Sequence, residues 1–217
     1  MATRPKQAEP RPQPRLYLIT PQIADATAFS PQLAAALAAS EVAAVLLRLA
    51  EGDERSLINR IKTLCRVVQD RGAALLLDGH VDLVARGGAD GAHLTGINAF
   101  NDALEQLKPD RIAGVGGLAS RHDAMVAAEA DADYVMFGEP DTSGARPSFD
   151  AIEERIEWWA EVFESPCVGY AGAPDEIPAL VKAGADFIAL GDWVWQHDAA
   201  KAIAEAARDL RLPETAA

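Results

Sequence analysis

The sequence is short of cysteine, aromatic residues and positive charge, and each shortage removes a class of protein. Two cysteines, Cys65 and Cys167, stand far apart with no Cys-x-x-Cys or Cys/His spacing around them. A disulfide framework or a structural zinc site needs more than this, so the expected setting is a reducing cytosol. Lysine and arginine number 20 against 33 aspartates and glutamates, a formal charge of −13. A phosphate backbone is gripped by a positive stripe, so general nucleic-acid binding is excluded. No stretch approaches the roughly 18 to 20 uncharged apolar residues of a membrane span. The first apolar run ends in LITPQ, without the Gly-x-Gly-x-x-Gly turn of a dinucleotide fold.

The opening MATRPKQAEPRPQPR holds no apolar segment for a secretory signal, and Pro5, Pro10, Pro12 and Pro14 break any targeting helix. Residues 1–15 are read as a basic, proline-rich disordered tail and 211–217 as a short C-terminal tail. That leaves 16–210 as one domain, and an apolar content of 49% is ample for its core.

Within 16–210, short aliphatic runs alternate eight times with longer amphipathic stretches. The runs are Leu16–Thr20, Val42–Arg48, Ala73–Asp78, Gly91–Leu94, Ile112–Gly116, Tyr134–Gly138, Cys167–Ala171 and Phe187–Gly191. Most are apolar without interruption, as strands covered on both faces are. Helical patterns such as PQLAAALAAS, SLINRIKTLCRVVQDRG, RHDAMVAAEA, FDAIEERIEWWAEVF, EIPALVKAG and DAAKAIAEAARDL are long enough to return the chain for another parallel strand. A weak repeat, GADGAHL, DADYVMFG and GADFIALG, sets a small residue and Ala-Asp before three of the strands. The small residue would end a helix and the short Asp would suit the turn. Eight such units predict a single α/β domain, a (β/α)₈ TIM barrel, with an open doubly wound sheet as the minor alternative.

In such a barrel, chemistry sits at the C-terminal ends of the strands. The candidates are therefore Arg48, Asp78, His93, Asn98, the loop from Glu139 to Arg146, Tyr170, Gly172, Gly191 and Asp192. Arg48 is read either as an anion contact or as the partner of Asp78. His93 is either a ligand contact or a hydrogen-bonded structural residue. Trp193 and Trp195 either wall a pocket or pack the last helix.

LYLIT, VDLVARGGADGAHL, AMVAAEADADYVMFG and LVKAGADFIAL, in this order and spacing, resemble thiamine phosphate synthase and its relative the thiazole tautomerase. The resemblance implies a barrel that joins hydroxymethylpyrimidine diphosphate to a thiazole phosphate, with Mg²⁺ on the diphosphate, and makes a homodimer plausible. It also implies site residues, several of them altered here. Arg48 is kept from the family's Gln-x-Arg-x-Lys, while Leu46 and Ala50 replace the other two. Asp78 and Asn98 stand near the two metal carboxylates, and an amide is the weaker magnesium ligand. Ala119 stands where the tautomerase has a histidine, and His122 comes three residues later. Thr142, Ser143 and Arg146 take the place of the loop that grips diphosphate. Tyr170 and Gly172 precede and join the phosphate turn, and Gly191 is followed by Asp192, a carboxylate that would oppose a phosphate. The expectation is a divergent member with altered or lost synthase activity on a small ligand in the barrel mouth. The alternatives are a working synthase with a rearranged site, and a non-catalytic barrel that docks a partner through its tail.

Overall fold

The computed structural model describes residues 12–141 and 143–211 and contains the expected closed barrel. Its strands are β1 (Arg15–Ile23), β2 (Val42–Leu49), β3 (Ala74–Asp78), β4 (Gly91–Thr95), β5 (Ile112–Gly116), β6 (Tyr134–Phe137), β7 (Cys167–Ala171) and β8 (Phe187–Leu190). All pair in parallel in chain order, and β8 closes on β1 from Arg15↔Phe187 to Leu18↔Leu190. The returning helices are α1 (Ala26–Ala39), α2 (Glu54–Gln69), α3 (Val81–Gly87), α4 (Ile97–Leu107), α5 (Arg121–Glu129), α6 (Phe149–Val162), α7 (Ile177–Ala183) and α8 (Ala199–Asp209). Most of each assigned tail, residues 1–11 and 212–217, lies outside the described residues.

Alternate residues of each strand face the barrel axis. Tyr17, Ile19, Leu46, Leu76, Tyr134, Met136, Val168, Tyr170 and Ala189 form the inner cluster. Their neighbours in sequence, such as Leu18, Val45, Leu47, Leu75 and Leu77, pack outward beneath the helices. Both faces are thus dry, which is why the strands read as unbroken apolar runs. The same alternation aims the strand ends: Arg48 follows Leu46 by two, and Asp78 follows Leu76 by two and sits in register with His93.

The Ala-Asp repeat does more than suit a turn. Asp90 Oδ2 accepts the Leu75 N–H at 2.7 Å, Asp133 Oδ2 the Ala113 N–H at 2.7 Å, and Asp186 Oδ2 the Cys167 N–H at 2.8 Å. In return, the three aspartate N–H groups donate to the carbonyls of those same residues. Each aspartate before β4, β6 and β8 therefore sews the start of the preceding strand to its neighbour. The position two residues earlier is left-handed in all three copies, with φ of +82° at Gly88, +64° at Asp131 and +100° at Gly184.

Several boundaries differ from the sequence reading, and two of them have a clear local cause. β1 runs on to Ile23 because, after an irregularity that takes in Thr20 and Pro21, Gln22 pairs with Arg48 and Ile23 with Leu49. α1 starts at Ala26 rather than near Pro31, since the Asp25 carboxylate caps Thr27 and Ala28 N–H at 2.9 and 3.0 Å.

Candidate active site

The C-terminal ends of the strands enclose a cavity of about 390 Å³ lined by Ile19, Leu46, Arg48, Asp78, His93, Thr95, Met136, Glu139, Pro140, Asp141, Gly144, Tyr170 and Asp192. A second hollow of about 450 Å³ shares Thr95, Met136, Glu139, Pro140 and Asp141 with it, and Arg146 and Arg155 stand on its wall.

Arg48 is fixed from both ends. Its backbone N–H donates to Thr20 Oγ1 at 3.0 Å and its Nε to the Thr20 carbonyl at 2.6 Å, and Thr20 is fully buried. Its Nη2 pairs with the Asp192 carboxylate. The partner is therefore Asp192, across the barrel seam, and not Asp78. Asp192 in turn is not the lone opposing charge that the sequence suggests, because Arg48 neutralises it. Asp78 is half-buried and makes no ion pair among the described residues.

A polar chain runs along the barrel interior below this pair. Tyr17 and Tyr134 hydroxyls are 2.8 Å apart, and Tyr134 Oη lies 3.0 Å from His93 Nδ1. His93 Nε2 then faces Glu139 Oε1 at 3.6 Å. A carboxylate only accepts, so the satisfied arrangement puts Nε2–H towards Glu139, with Nδ1 accepting from Tyr134 and Tyr134 accepting from Tyr17. Burial, the largest cause, pushes both phenols well above their ordinary range. His93 is hydrogen-bonded within the barrel interior and its ring also lines the cavity. Both Glu139 oxygens are buried without a hydrogen bond among the described residues. They rest over Gly116, where any side chain would collide with the carboxylate.

The loop after β6 holds itself together. Asp141 Oδ1 accepts the Ser143 N–H at 2.8 Å, the Ser143 hydroxyl at 2.6 Å and the Ala145 N–H at 3.0 Å. The Ser143 hydroxyl, first among these donors, lowers the Asp141 carboxyl from its usual range. Ser143 is therefore engaged within its own turn, and Thr142 lies outside the described residues.

Arg146 is engaged on every nitrogen. Nε donates to the Gly138 carbonyl at 3.0 Å, Nη2 to the Tyr170 carbonyl at 3.1 Å, and Nη1 to Glu176 at 2.9 and 3.0 Å. The guanidinium lies 5.3 Å from the Tyr170 ring centre. Burial first, and Asp192 next, raise the Tyr170 phenol. Glu176 Oε2 also accepts the Gly172 N–H at 2.7 Å, and the Gly191 N–H donates to the Ala171 carbonyl at 3.1 Å. Neither glycine amide faces the mouth unbonded.

The donors for magnesium do not come together. Asp78 lines the cavity, but Asn98 is exposed in the first turn of α4 and is not among the cavity residues. Among the described residues no cluster of three or more His, Cys, Asp or Glu side chains suits a metal. Trp193 and Trp195 also stand outside the cavity: their indole N–H groups donate to Ala171 O at 3.0 Å and Ile19 O at 2.6 Å, tying the 3₁₀ turn Asp192–Trp195 to β7 and β1.

Sequence reasoning underrated three residues. Glu139 stands in the sequence only as the first residue of a candidate loop, Glu176 only as the start of a helical stretch, and Tyr134 only as part of a strand. A carboxylate four residues after the Gly172 turn was the available signal for Glu176.

Fold and mouth define a single-domain (β/α)₈ barrel with a polar site at the carboxyl ends of its strands. Residues 16–193 match the thiamine monophosphate synthase family profile. The chain is 44% identical over 195 residues to a thiamine-phosphate synthase of Rhodospirillum centenum, covering 88% of this chain and 94% of that one. It is 38% identical to a thiamine-phosphate synthase of Hyphomonas neptunium, covering 88% and 90%. The thiamine phosphate pyrophosphorylase structure from Pyrococcus furiosus superposes with a TM-score of 0.72 at 23% identity, over 91% of this chain and 96% of that one. The chain belongs to the thiamine monophosphate synthase family.

Proposed function

We propose that this family member takes a small ligand in its C-terminal mouth that is poorer in negative charge than a diphosphate, and that its synthase reaction is accordingly weakened or replaced. One observation carries the reading: the cavity is lined by four carboxylates, Asp78, Glu139, Asp141 and Asp192, against one arginine, Arg48, already paired with Asp192. Diphosphate departure needs concentrated positive charge in a dry site. This mouth offers the reverse, and favours a neutral or cationic ligand rich in hydrogen-bond donors. In this reading Asp78 and Glu139 accept from the ligand, and His93, oriented by Tyr134, holds Glu139 in place. The donors expected for magnesium are not assembled, since Asp78 lines the cavity and Asn98 stands outside it.

Thiamine phosphate formation from the two family substrates, measured beside the Rhodospirillum centenum relative, tests this. The expected rate is at least about 100-fold lower, the cost of losing one strong charge-stabilising donor. Equal rates would establish the second reading, a working synthase with Arg48 released from Asp192 on binding. The 44% identity to a protein of that name favours that reading.

A further inference from the structure

We propose that a hollow at the amino-terminal ends of the strands is the docking site of the chain's own leading segment, residues 4–11, whose prolines cover its aromatic floor while its basic side chains meet an acidic rim. This surface lies at the opposite end of the barrel from the mouth, so the inference is independent of what the mouth binds. The hollow measures about 300 Å³ and draws its lining from every strand except β4, with Tyr17, Ala44, Ala74, Ile112, Tyr134 and Phe187 as its floor. The interior layers of such a barrel are normally filled by bulky branched side chains. Here Tyr17 stands in register with Ala44, and Ala44 with Ala74, so two neighbouring strands bring alanine to the same row and leave it unfilled. Ile112 and Phe187 pack against the inner cluster yet stay half-buried. Apolar surface is thus left open where the rings of Tyr17, Tyr134 and Phe187 converge.

The chain enters the barrel at this rim. Arg15, the first residue of β1, lines the hollow, Pro14 before it is buried, and Gln13 and Pro12 are exposed. A barrel of this strand number is about 15 Å across between backbones. Residues 4–11 in polyproline II conformation would reach about 25 Å, enough to cross it. Pro5, Pro10 and Pro12 favour that conformation, which needs no backbone partners and suits grooves lined by aromatic rings. Charge selects the same occupant. Arg4, Lys6 and Arg11 outnumber Glu9 in the segment, while Glu41, Asp110, Asp131 and Glu164 stand exposed on the connections that enter β2, β5, β6 and β7. Arg15 and Lys108 offset part of this rim through Glu41 at 3.2 Å and Asp131 at 3.7 Å, and Asp110 and Glu164 make no ion pair among the described residues. A second copy of the chain, at a formal charge of −13, would bring net repulsion to the same rim.

A nitroxide attached to Ala8→Cys in the full chain, read by methyl NMR, tests the proposal. Cys65 and Cys167 are buried, and the unsubstituted chain treated with the same reagent controls for them. The methyl signals of Ala44, Ala74 and Ile112 should be lost to paramagnetic relaxation, while those of Ala50, just past β2, and Ala145, on the wall of a mouth hollow, persist. Charge reversal by Arg4→Glu, Lys6→Glu and Arg11→Glu together should restore the lost signals, and Pro5→Gly with Pro10→Gly should restore them in part, with circular dichroism confirming the fold of each variant. Unchanged signals at Ala44, Ala74 and Ile112, equal loss at both ends of the barrel, or a loss that survives charge reversal would overturn the proposal. In a mixture of nitroxide-bearing chains without isotope label and isotope-labelled chains without nitroxide, no loss should appear. Loss in that mixture would assign the hollow to a second copy and overturn the proposal equally.

Discussion

Tyr17 and Tyr134 meet inside the barrel with hydroxyls 2.8 Å apart and both rings buried, so ionising either phenol would place a charge in a dry interior. Burial accordingly holds both protons on far above the ordinary range. A group whose folded pKa exceeds its unfolded value contributes stability that is complete below the unfolded pKa and disappears as pH rises. For these phenols the loss starts near the ordinary value of about 10. Urea unfolding between neutral pH and the alkaline range should show stability falling from about pH 10 upward. The double change Y17F/Y134F should flatten that fall. At neutral pH, Y134F should cost about 1–3 kcal/mol and more than Y17F, because it also strips His93 Nδ1 of its buried partner. Equal costs would mean that the Tyr134–His93 bond carries no weight. These side chains were legible only in part. Arg48, Asp78, His93 and Tyr170 follow from the inward alternation of strand residues, which needs no long-range information. The pairings Arg48–Asp192 and Arg146–Glu176 join residues 144 and 30 positions apart, and no local pattern announces them.

At the scale of elements, the strands were readable because burial on both faces leaves an unbroken apolar signature. The end of β1 was not, since Gln22 and Ile23 are held by β2 across the irregularity rather than by their own propensity. The Ala-Asp repeat was visible as a repeat, but its chemistry was hidden: each carboxylate reaches an amide 15 to 20 residues upstream. The stitch makes two opposite predictions. D90A removes the acceptor of the Leu75 N–H, a residue with no exposed surface, and should destabilise by about 1–3 kcal/mol in urea titration. D131G relieves a non-glycine residue held at φ +64° and should stabilise by about 0.5–1 kcal/mol. The Lys108–Asp131 contact that it loses spans 3.7 Å at a 92% exposed carboxylate, and such pairs contribute little. A destabilised D131G would show that the side chain, and not the left-handed backbone, matters at this helix end.

The whole molecule adds a field to these local contacts. A formal charge of −13 surrounds a mouth in which the cavity holding Arg48 and Asp192 is itself acid-rich, so an anion approaching it climbs a repulsive potential. Salt then acts with unusual sign. An ordinary anion site with unpaired cations loses affinity as ionic strength rises, because its attraction is screened. Here screening weakens the net repulsion and also the Arg48–Asp192 pair, whose aspartate is 62% exposed, while the sheltered Arg146–Glu176 pair is affected less. Affinity for inorganic diphosphate should therefore improve, from a weak starting point, as ionic strength rises from about 20 mM to about 200 mM. D192N should reproduce part of the gain at low salt by leaving Arg48 without its carboxylate, and its affinity should rise less steeply with salt because one opposing charge is gone. Monotonic loss of wild-type affinity over that range would mean that the mouth presents free positive charge, and the acid-rich reading of the cavity would have to be given up.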